Sequence, residues 1–277
     1  NRDASFVVVG LSGGVDSAVS ALRLLRAGYR VAGLFMKNWE DDDTLFNCSA
    51  ADDFAAAEEV AAHLGIPLYR VNFAAQYKAK VFQHALDELR RGRTPNPDIL
   101  CNQHIKFHLF LNYALTKLGA NYIATGHYAR LRNRADVQLV ELLRGIDAQK
   151  DQSYFLAAID PLTLTRVLFP LGASTKGQVR EEAREAGLPN AERADSTGIC
   201  FIGERDFSTF LQSYIAPNPG PIFTPDGEQI GEHQGLAFYT LGQRRGLGIG
   251  GHNNHTNEPW YIAAKDGTSN ALIVVQG

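Results

Sequence analysis

The sequence contains few of the residues that stabilise small secreted or zinc-bound proteins. Only three of its 277 residues are cysteines, Cys48, Cys101 and Cys200, and no two of them form a C-x-x-C pair. This wide spacing excludes a disulfide scaffold and a zinc ribbon, and it favours the reducing cytoplasm. The chain also lacks a visible signal peptide and an apolar run long enough to span a bilayer, so we expect no membrane partner.

An excess of positive charge is absent as well. The 27 basic residues are outnumbered by 30 acidic ones, and the formal net charge is −3. No overall basic field therefore predicts a nucleic-acid partner. Short basic clusters occur at residues 90–93, 130–134 and 243–245. Such clusters are usually solvated surface, so by themselves they leave RNA binding open.

Near its start the chain has a strand, a glycine-rich loop and a helix in succession. The apolar run 6–9 leads into adjacent glycines, and helical spacing of apolar residues follows. Such glycines let a loop backbone approach a ligand, and the following helix N-terminus favours an anion. The loop therefore suits a pyrophosphate, although a structural turn capped by serines remains an alternative. The candidate phosphate-binding residues are Gly10, Leu11, Ser12, Gly13, Gly14, Val15, Asp16 and Ser17.

Further apolar segments alternate with helical patterns, which predicts a parallel, doubly wound α/β sheet. Met36 ends the second strand, where it either packs on a ligand or belongs to the core. Gly126 ends a later strand and permits close backbone approach. His127 beside it is a base, an RNA contact or a loop filler. After about Phe210 the composition changes to short β segments, so we predict domains at 1–205 and 206–277.

Two cysteines stand in patterns that favour chemistry. Asn96 is a good N-cap and Pro97 a good first helical residue, so Cys101 lies early in a helix, where the dipole favours a thiolate. Asp98, one turn earlier, opposes that effect. The two are either an acid/base and a nucleophile or parts of a capped helix with a buried cysteine. Cys200, in a Ser/Thr/Gly-rich segment, is an exposed reactive thiol or a passive loop residue.

Seven strings together resemble one enzyme family, the tRNA-specific 2-thiouridylases. They are residues 10–17, 35–39, 92–102, 124–128, 150–156, 195–201 and 240–244. The first also resembles the PP-loop of ATP pyrophosphatases. The resemblance implies an adenine nucleotide α-hydrolase-like sheet followed by a small, mainly β domain. The β-barrel with which family members usually continue is expected to be absent from this chain.

The resemblance implies an ATP-dependent sulfurtransferase. It would adenylate the C2 oxygen of the wobble uridine in tRNAs for Lys, Glu and Gln, with Mg²⁺ held by the ATP phosphates and no protein metal site. A persulfide on Cys200 would then supply sulfur, giving 2-thiouridine, AMP and pyrophosphate. The partners implied are tRNA and a sulfur-relay protein or cysteine desulfurase, and the chain would act as a monomer.

The same resemblance assigns roles to residues. Residues 10–17, Met36 and Gly126 would bind ATP, and Cys101, Cys200 and Asp98 would be catalytic. The residues expected to contact tRNA are Asn96, Pro97, Asp98, His127, Lys150, Asp151 and Gln152. The two cysteines must meet, so we expect the segment of Cys200 to move. A PP-loop amide-forming ligase and a non-enzymatic tRNA-binding redox protein remain rival interpretations.

Overall fold

In the computed structural model the protein is described over residues 5–40, 49–134, 139–195, 207–249 and 258–277. The chain divides into two compact units. The first comprises Asn1–Val81 and Pro97–Glu204, and the second comprises Phe82–Asn96 and Arg205–Gly277.

A parallel sheet forms the centre of the first unit. The strands of this unit are β1 (Phe6–Gly10), β2 (Arg30–Lys37), β3 (Leu68–Asn72), β4 (Tyr122–Ala124), β5 (Ala129–Arg134), β6 (Leu139–Arg144) and β7 (Val167–Leu168). Five of them pair in the order β3-β2-β1-β4-β7, and every pairing is parallel. The chain order reverses between β1 and β4, and ligands of such sheets bind at the carboxyl ends there. The predicted α/β fold is confirmed.

Helices occur in both units. The α-helices are α1 (Val15–Arg26), α2 (Ser49–Leu64), α3 (Ala74–Tyr77), α4 (Gln83–Arg90), α5 (Pro97–Cys101), α6 (Leu111–Lys117), α7 (Pro161–Leu164), α8 (Lys176–Glu185) and α9 (Phe207–Gln212). Helices α4 and α9 belong to the second unit and the other α-helices to the first. A π-helical segment, Lys78–Phe82, joins α3 to α4, and another, Asn102–Phe110, joins α5 to α6. Helix α5 begins at Pro97, as the sequence predicts.

The excursion predicted at residues 129–145 is an antiparallel hairpin of β5 and β6. The core of the first unit contains the apolar side of α1 and the centre of β1, where Val7, Val8 and Val9 are completely buried. Apolar and polar residues do not alternate along β1 because both faces of this strand are covered.

A small sheet forms most of the second unit. It contains β8 (Gly220–Phe223), β9 (Gln229–His233), β10 (Trp260–Asp266) and β11 (Ala271–Gln276), in the order β10-β11-β8-β9. The hairpin predicted around the turn at residues 225–227 is confirmed by the antiparallel pairing of β8 and β9. The predicted mainly β character of this part is likewise confirmed.

The segment Phe82–Asn96 belongs to this second unit, although the sequence prediction placed it in the first domain. The ring of Phe82 lies 4.8 Å from that of Tyr214 and 5.8 Å from that of Phe210. Arg90 also donates to the carbonyl of Tyr214 at 3.3 Å. An amphipathic helix has the same sequence period whichever unit it packs against, so the pattern alone did not show this. The boundary at 205/206 stays a prediction.

None of the helices within the described residues is long and apolar enough to cross a membrane.

Candidate active site

The loop between β1 and α1 is closed by the hydroxyl of Ser17. This hydroxyl donates to the carbonyl of Gly14 at 2.9 Å and accepts from the backbone N–H of Ser12 at 3.2 Å. The side chain of Ser17 is buried, whereas Ser12 is exposed. The hydroxyl of Ser17 therefore stabilises the conformation of the loop. The side chain of Ser12 is exposed to solvent, where it can contact an anion at the N-terminus of α1.

Two glycines of this region are required by close approaches. Gly13 has a φ of +80°, and a Cβ there would lie 2.4 Å from the carbonyl oxygen of Asp53. A Cβ on Gly126 would lie 2.9 Å from the Cβ of Asp16 and 3.0 Å from the N atom of Ser17. The end of β4 thus packs directly on the first turn of α1. This packing is a structural reason for glycine at position 126.

A lysine far along the chain reaches the loop. The Nζ of Lys176, the first residue of α8, lies 2.8 and 2.9 Å from the two carboxylate oxygens of Asp16. The hydroxyl of Tyr128 donates to the same carboxylate at 2.8 Å. Burial, followed by the charge of Asp16, raises the pKa of Tyr128, so its hydroxyl stays protonated. Lys176 thereby places a positive charge beside a loop that has no lysine of its own.

The same lysine connects the loop to Asp195, the first residue of the string that contains Cys200. Lys176 Nζ lies 2.7 Å from the carboxylate of Asp195, which also receives Lys150 at 2.9 Å and Arg180 at 2.7 Å. Burial would raise the pKa of Asp195, but the hydrogen bonds from Lys176 and Lys150 outweigh it and hold this pKa at about 2. Asp195 is therefore ionised at neutral pH.

A second connection comes from the segment just before Asp195. Asn190 and Arg193 both donate to the carbonyl of Gly13, at 2.8 and 3.3 Å. Arg193 also binds the carboxylate of Asp53 at 2.6 Å. Burial raises the pKa of Asp53, and the charge of Arg193 opposes the rise. Residues 190–195 therefore lie against the glycine loop over several contacts.

Cys101 ends α5 and is completely buried. Asp98 and Pro97 on the same short helix are half-buried. The side-chain amide of Asn102 donates to the carbonyl of Phe155 at 3.0 Å, which attaches this helix to the 150–156 string. Of the two interpretations of Cys101, the buried cysteine agrees with the complete burial of its side chain. A reactive role would require the thiol to become exposed.

The 150–156 string is in turn bound to the strand end at Tyr128. Gln152 accepts from the N–H of Tyr128 through its side chain at 3.0 Å and donates its own N–H to the carbonyl of Tyr128 at 3.1 Å. Asp151 accepts from the N–H of Gly145 and from the hydroxyl of Ser153, both at 2.9 Å. These two predicted tRNA contacts therefore also hold the turn in place.

His127 is half-buried between aromatic rings. Its ring centroid lies 5.8 Å from that of Phe107 and 6.0 Å from that of Phe169, and its Nδ1 lies 2.7 Å from Thr125 Oγ1. Burial, followed by the charge of Lys106, lowers the pKa of His127 well below its usual value. The ring is neutral at pH 7 and contributes no positive charge toward an RNA.

Met36 lies at the carboxyl edge of β2, beside the end of β1. A Cβ on Gly10 would lie 3.5 Å from the methyl carbon of Met36 and 3.3 Å from the ring of Phe110. Asn38, two residues further, is buried, and neither of its amide atoms has a hydrogen-bond partner among the described residues. The end of β2 therefore combines an apolar surface with unused hydrogen-bonding capacity.

Comparison with known proteins identifies the same family that the seven sequence strings resemble. Family models described as "tRNA methyl transferase HUP domain" and "tRNA methyl transferase PRC-barrel domain" match residues 5–204 and 208–276. A protein named tRNA-specific 2-thiouridylase MnmA from Halorhodospira halophila is 66% identical over 98% of this chain and 71% of its own length. A protein of the same name from Alkalilimnicola ehrlichii is 62% identical, over 98% and 73%.

The chain belongs to the tRNA-specific 2-thiouridylase family. Among solved structures, a 4-thiouridine synthetase–RNA complex with bound ATP is 18% identical, with a TM-score of 0.45 over 73% of this chain and 46% of that one. A likeness at that level carries no inference about function.

Some residues predicted from the 2-thiouridylase resemblance either belong to the second unit or are outside the described residues. Cys200 is outside the described residues, so the predicted meeting of Cys101 with Cys200 stays a prediction. Asn96 belongs to the second unit, whereas Pro97 belongs to the first. No cluster of histidine, cysteine or acidic side chains within the described part of the chain is suited to hold a metal ion.

Sequence reasoning missed the side chains that join the site together, above all Lys176, Asn190 and Arg193. They lie about 160 to 180 residues from the loop they contact. One signal was present in the sequence: the loop at residues 10–17 lacks the lysine of a P-loop. A phosphate site without a local cation requires one from a distant part of the chain.

Proposed function

We propose that the chain is an ATP-dependent tRNA sulfurtransferase that converts the wobble uridine of tRNA to 2-thiouridine. One observation carries the proposal. Hydrogen bonds join the glycine loop, Tyr128, the 150–156 string and the helix of Cys101, and Lys176 extends them to Asp195. Parts of several strings that resemble 2-thiouridylases are thus bound to one another within the first unit, which supports a single site there. The relatives' printed name supports the tRNA substrate.

In the first step ATP would be held by residues 10–17 with its phosphates at the N-terminus of α1. Asp16 in this first turn would repel phosphates if it were unpaired. Lys176 neutralises Asp16, and its ammonium is placed to contact a phosphate of ATP as well. Met36 and the backbone at Gly126 would frame the adenosine. The uridine C2 oxygen would attack the α-phosphate and release pyrophosphate.

Magnesium would accompany the ATP phosphates and neutralise the leaving pyrophosphate. The carboxylate of Asp16, which lies within the loop, is already bound by Lys176 and Tyr128. The donor set thus fits a metal ion carried by the nucleotide better than one held by protein ligands.

In the second step the terminal sulfur of a Cys200 persulfide would attack C2 of the adenylated base. The C2–O bond breaks, AMP leaves with the oxygen, and sulfur joins the base to Cys200. The thiolate of Cys101 would then attack the Cys200 sulfur, which forms a Cys101–Cys200 disulfide and releases 2-thiouridine. A thiol reductant restores the cysteines, and a relay protein or desulfurase reloads Cys200. Asp98 would accept and return protons at the base.

Because Cys101 is completely buried, this step requires its thiol to become exposed. A thiol reagent should therefore modify Cys101 slowly in the protein alone and faster when tRNA and ATP are both present. Equal rates in the two conditions would contradict this order of events.

The deciding experiment is to incubate the protein with ATP, Mg²⁺, a sulfide source and unmodified tRNA. The products expected are 2-thiouridine, AMP and pyrophosphate. ATP cleavage without tRNA dependence, or a methylated base instead of a thiolated one, would overturn the proposal. A ligase of the same superfamily would keep its activity after thiol blocking, whereas this enzyme would lose it.

Two variants separate the steps. Cys101→Ser and Cys200→Ser should both abolish 2-thiouridine while ATP binding stays near that of the parent protein. Loss of ATP binding in either variant would contradict the assignment of both cysteines to sulfur transfer.

A further inference from the structure

The second unit contains a cavity that the proposed chemistry does not use. Its volume is about 460 Å³, and its lining comes from α4 and the residues after it, from residues 215–238 and from the β10–β11 hairpin. Ligand sites typically occupy roughly 300–1,000 Å³. The cavity therefore has room for a phosphate together with the sugar that carries it.

Its lining is positively charged. Arg90, Arg91 and Lys265 line it, and none of the described residues that line it is acidic. Two carboxylates lie nearby on α4: Asp87 binds Arg90 at 2.9 Å and Glu88 binds Arg91 at 3.1 Å. Each guanidinium has further N–H groups beyond the one used in its ion pair. The cavity therefore favours an anion, although the two ion pairs moderate its field.

Lys265 is the feature that requires a partner. Its Nζ is buried and has no hydrogen-bond partner among the described residues, and burial lowers the pKa of Lys265. Its neighbour Asp266 is bound elsewhere, by the N–H of Thr268 at 2.9 Å and by the hydroxyl of Ser269. A buried ammonium without a partner is costly. An anion in the cavity would supply that partner.

We propose that this cavity binds a backbone phosphate of the RNA substrate, with Lys265 as its main contact and Arg91 at the rim. The choice of RNA rests on the proposed function. The basic run at residues 90–93, which the ATP and sulfur chemistry leaves unused, supplies the additional charge. A phosphate contact by Lys265 carries no base information, so it contributes affinity and position of the RNA, not sequence preference.

The main experiment compares tRNA affinity over a range of salt concentrations. Lys265→Met should weaken binding about tenfold near physiological salt and reduce the slope of log K against log salt by about 1. Lys265→Arg keeps the charge and should retain most of the affinity. Lys117→Met changes an exposed lysine on α6 of the first unit that does not line the cavity. It is the matched control and should change neither quantity by more than a small amount.

A second measurement identifies the source of the phosphate. Labelling of Arg91, whose side chain is exposed at the rim of the cavity, by an arginine-reactive reagent is followed by mass spectrometry with no addition, with inorganic phosphate and with tRNA. Protection by tRNA at concentrations where inorganic phosphate gives none supports the RNA site. Protection by phosphate alone would show a site for free phosphate and would overturn the proposal.

Unchanged affinity and slope in a folded Lys265→Met protein would also overturn it, and circular dichroism establishes the folding. These outcomes are separate from the proposed function. A protein that makes no 2-thiouridine but shows the Lys265 effects would lose the function and keep the site. If the protein thiolates tRNA but the parent and Lys265→Met forms have the same salt slope, the proposed function stands and the phosphate site is disproved.

Discussion

Two buried lysines, one in each unit, differ in whether their ammonium groups have partners. Lys176 is 12% exposed in its side chain and lies between the carboxylates of Asp16 and Asp195. Lys265 has a buried Nζ with no hydrogen-bond partner among the described residues. The first lysine is already neutralised and positioned before any ligand arrives. The second gains its partner only when an anion binds.

A third basic side chain, that of His127, responds to burial by losing its proton. His127 is in the first unit, as Lys176 is, but it has no carboxylate partner among the described hydrogen bonds and its pKa is strongly lowered by burial. A buried base can therefore pair, lose its proton or await a ligand. The three cases predict effects of different size and sign, which makes the comparison testable.

The largest effect is expected for Lys176→Met. Removing one partner of a buried ion pair typically costs about 3–5 kcal/mol. Asp16 and Asp195 keep other partners, so we expect the lower end, about 3 kcal/mol, measured by urea unfolding. ATP-dependent activity should also be lost, because the loop has no second lysine.

Lys150→Met is the matched control. Among the described residues, the ammonium of Lys150 forms its ion pair with Asp195, and its side chain is 43% exposed. An exposed pair contributes about 0.5 kcal/mol. If Lys150→Met and Lys176→Met lost equal stability, the two ion pairs of Lys176 would not explain the destabilisation of Lys176→Met.

The next effect tests the position of Asp16 without altering any charge. In Gly126→Ala the new Cβ would lie 2.9 Å from the Cβ of Asp16. Overpacking of this kind costs about 1–3 kcal/mol, so we expect about 2 kcal/mol and weaker ATP binding.

Gly177→Ala provides the comparison for that substitution. Its Cβ would lie 3.9 Å from the nearest atom, Thr175 Oγ1, within α8. Alanine in place of a helical glycine should stabilise by about 0.5 kcal/mol. A Gly126→Ala protein as stable as Gly177→Ala, with parent ATP affinity, would disprove the tight packing of β4 on α1.

The sequence predicted the local parts of this site and not the contacts that join them. Glycine spacing showed the loop at residues 10–17, and Pro97 showed the start of α5, because both signals lie within a few residues. The ion pair of Lys176 with Asp16 spans 160 residues and has no local signature. The same limit hid the membership of α4 in the second unit, since periodicity shows that a helix has an apolar face but not what covers it.

His127 predicts a dependence of stability on pH. Its folded pKa lies below the unfolded value of 6.5. The unfolded chain therefore binds a proton as pH falls below about 6.5, while the folded chain does not. Stability from this group is complete above that pH and is lost below it, by up to about 1.4 kcal/mol per pH unit.

Thermal unfolding of the parent and His127→Gln between pH 7.5 and 5.5 measures this effect. The variant should lose less stability over the range, and the other histidines cancel in the difference. Parallel curves would show that His127 takes up its proton equally in both states.

The smallest effect has the opposite sign. Lys265→Met removes a buried ammonium that has no hydrogen-bond partner among the described residues and keeps a side chain of similar length. Unsatisfied buried polar groups cost about 1–3 kcal/mol, so the variant should be about 1 kcal/mol more stable, whereas Lys176→Met is less stable. Lys117→Met should change little. A loss of stability in Lys265→Met would mean that the ammonium is already paired within the protein. A gain of stability that accompanies weaker RNA binding would instead identify Lys265 as a residue retained for its ligand at the expense of the fold.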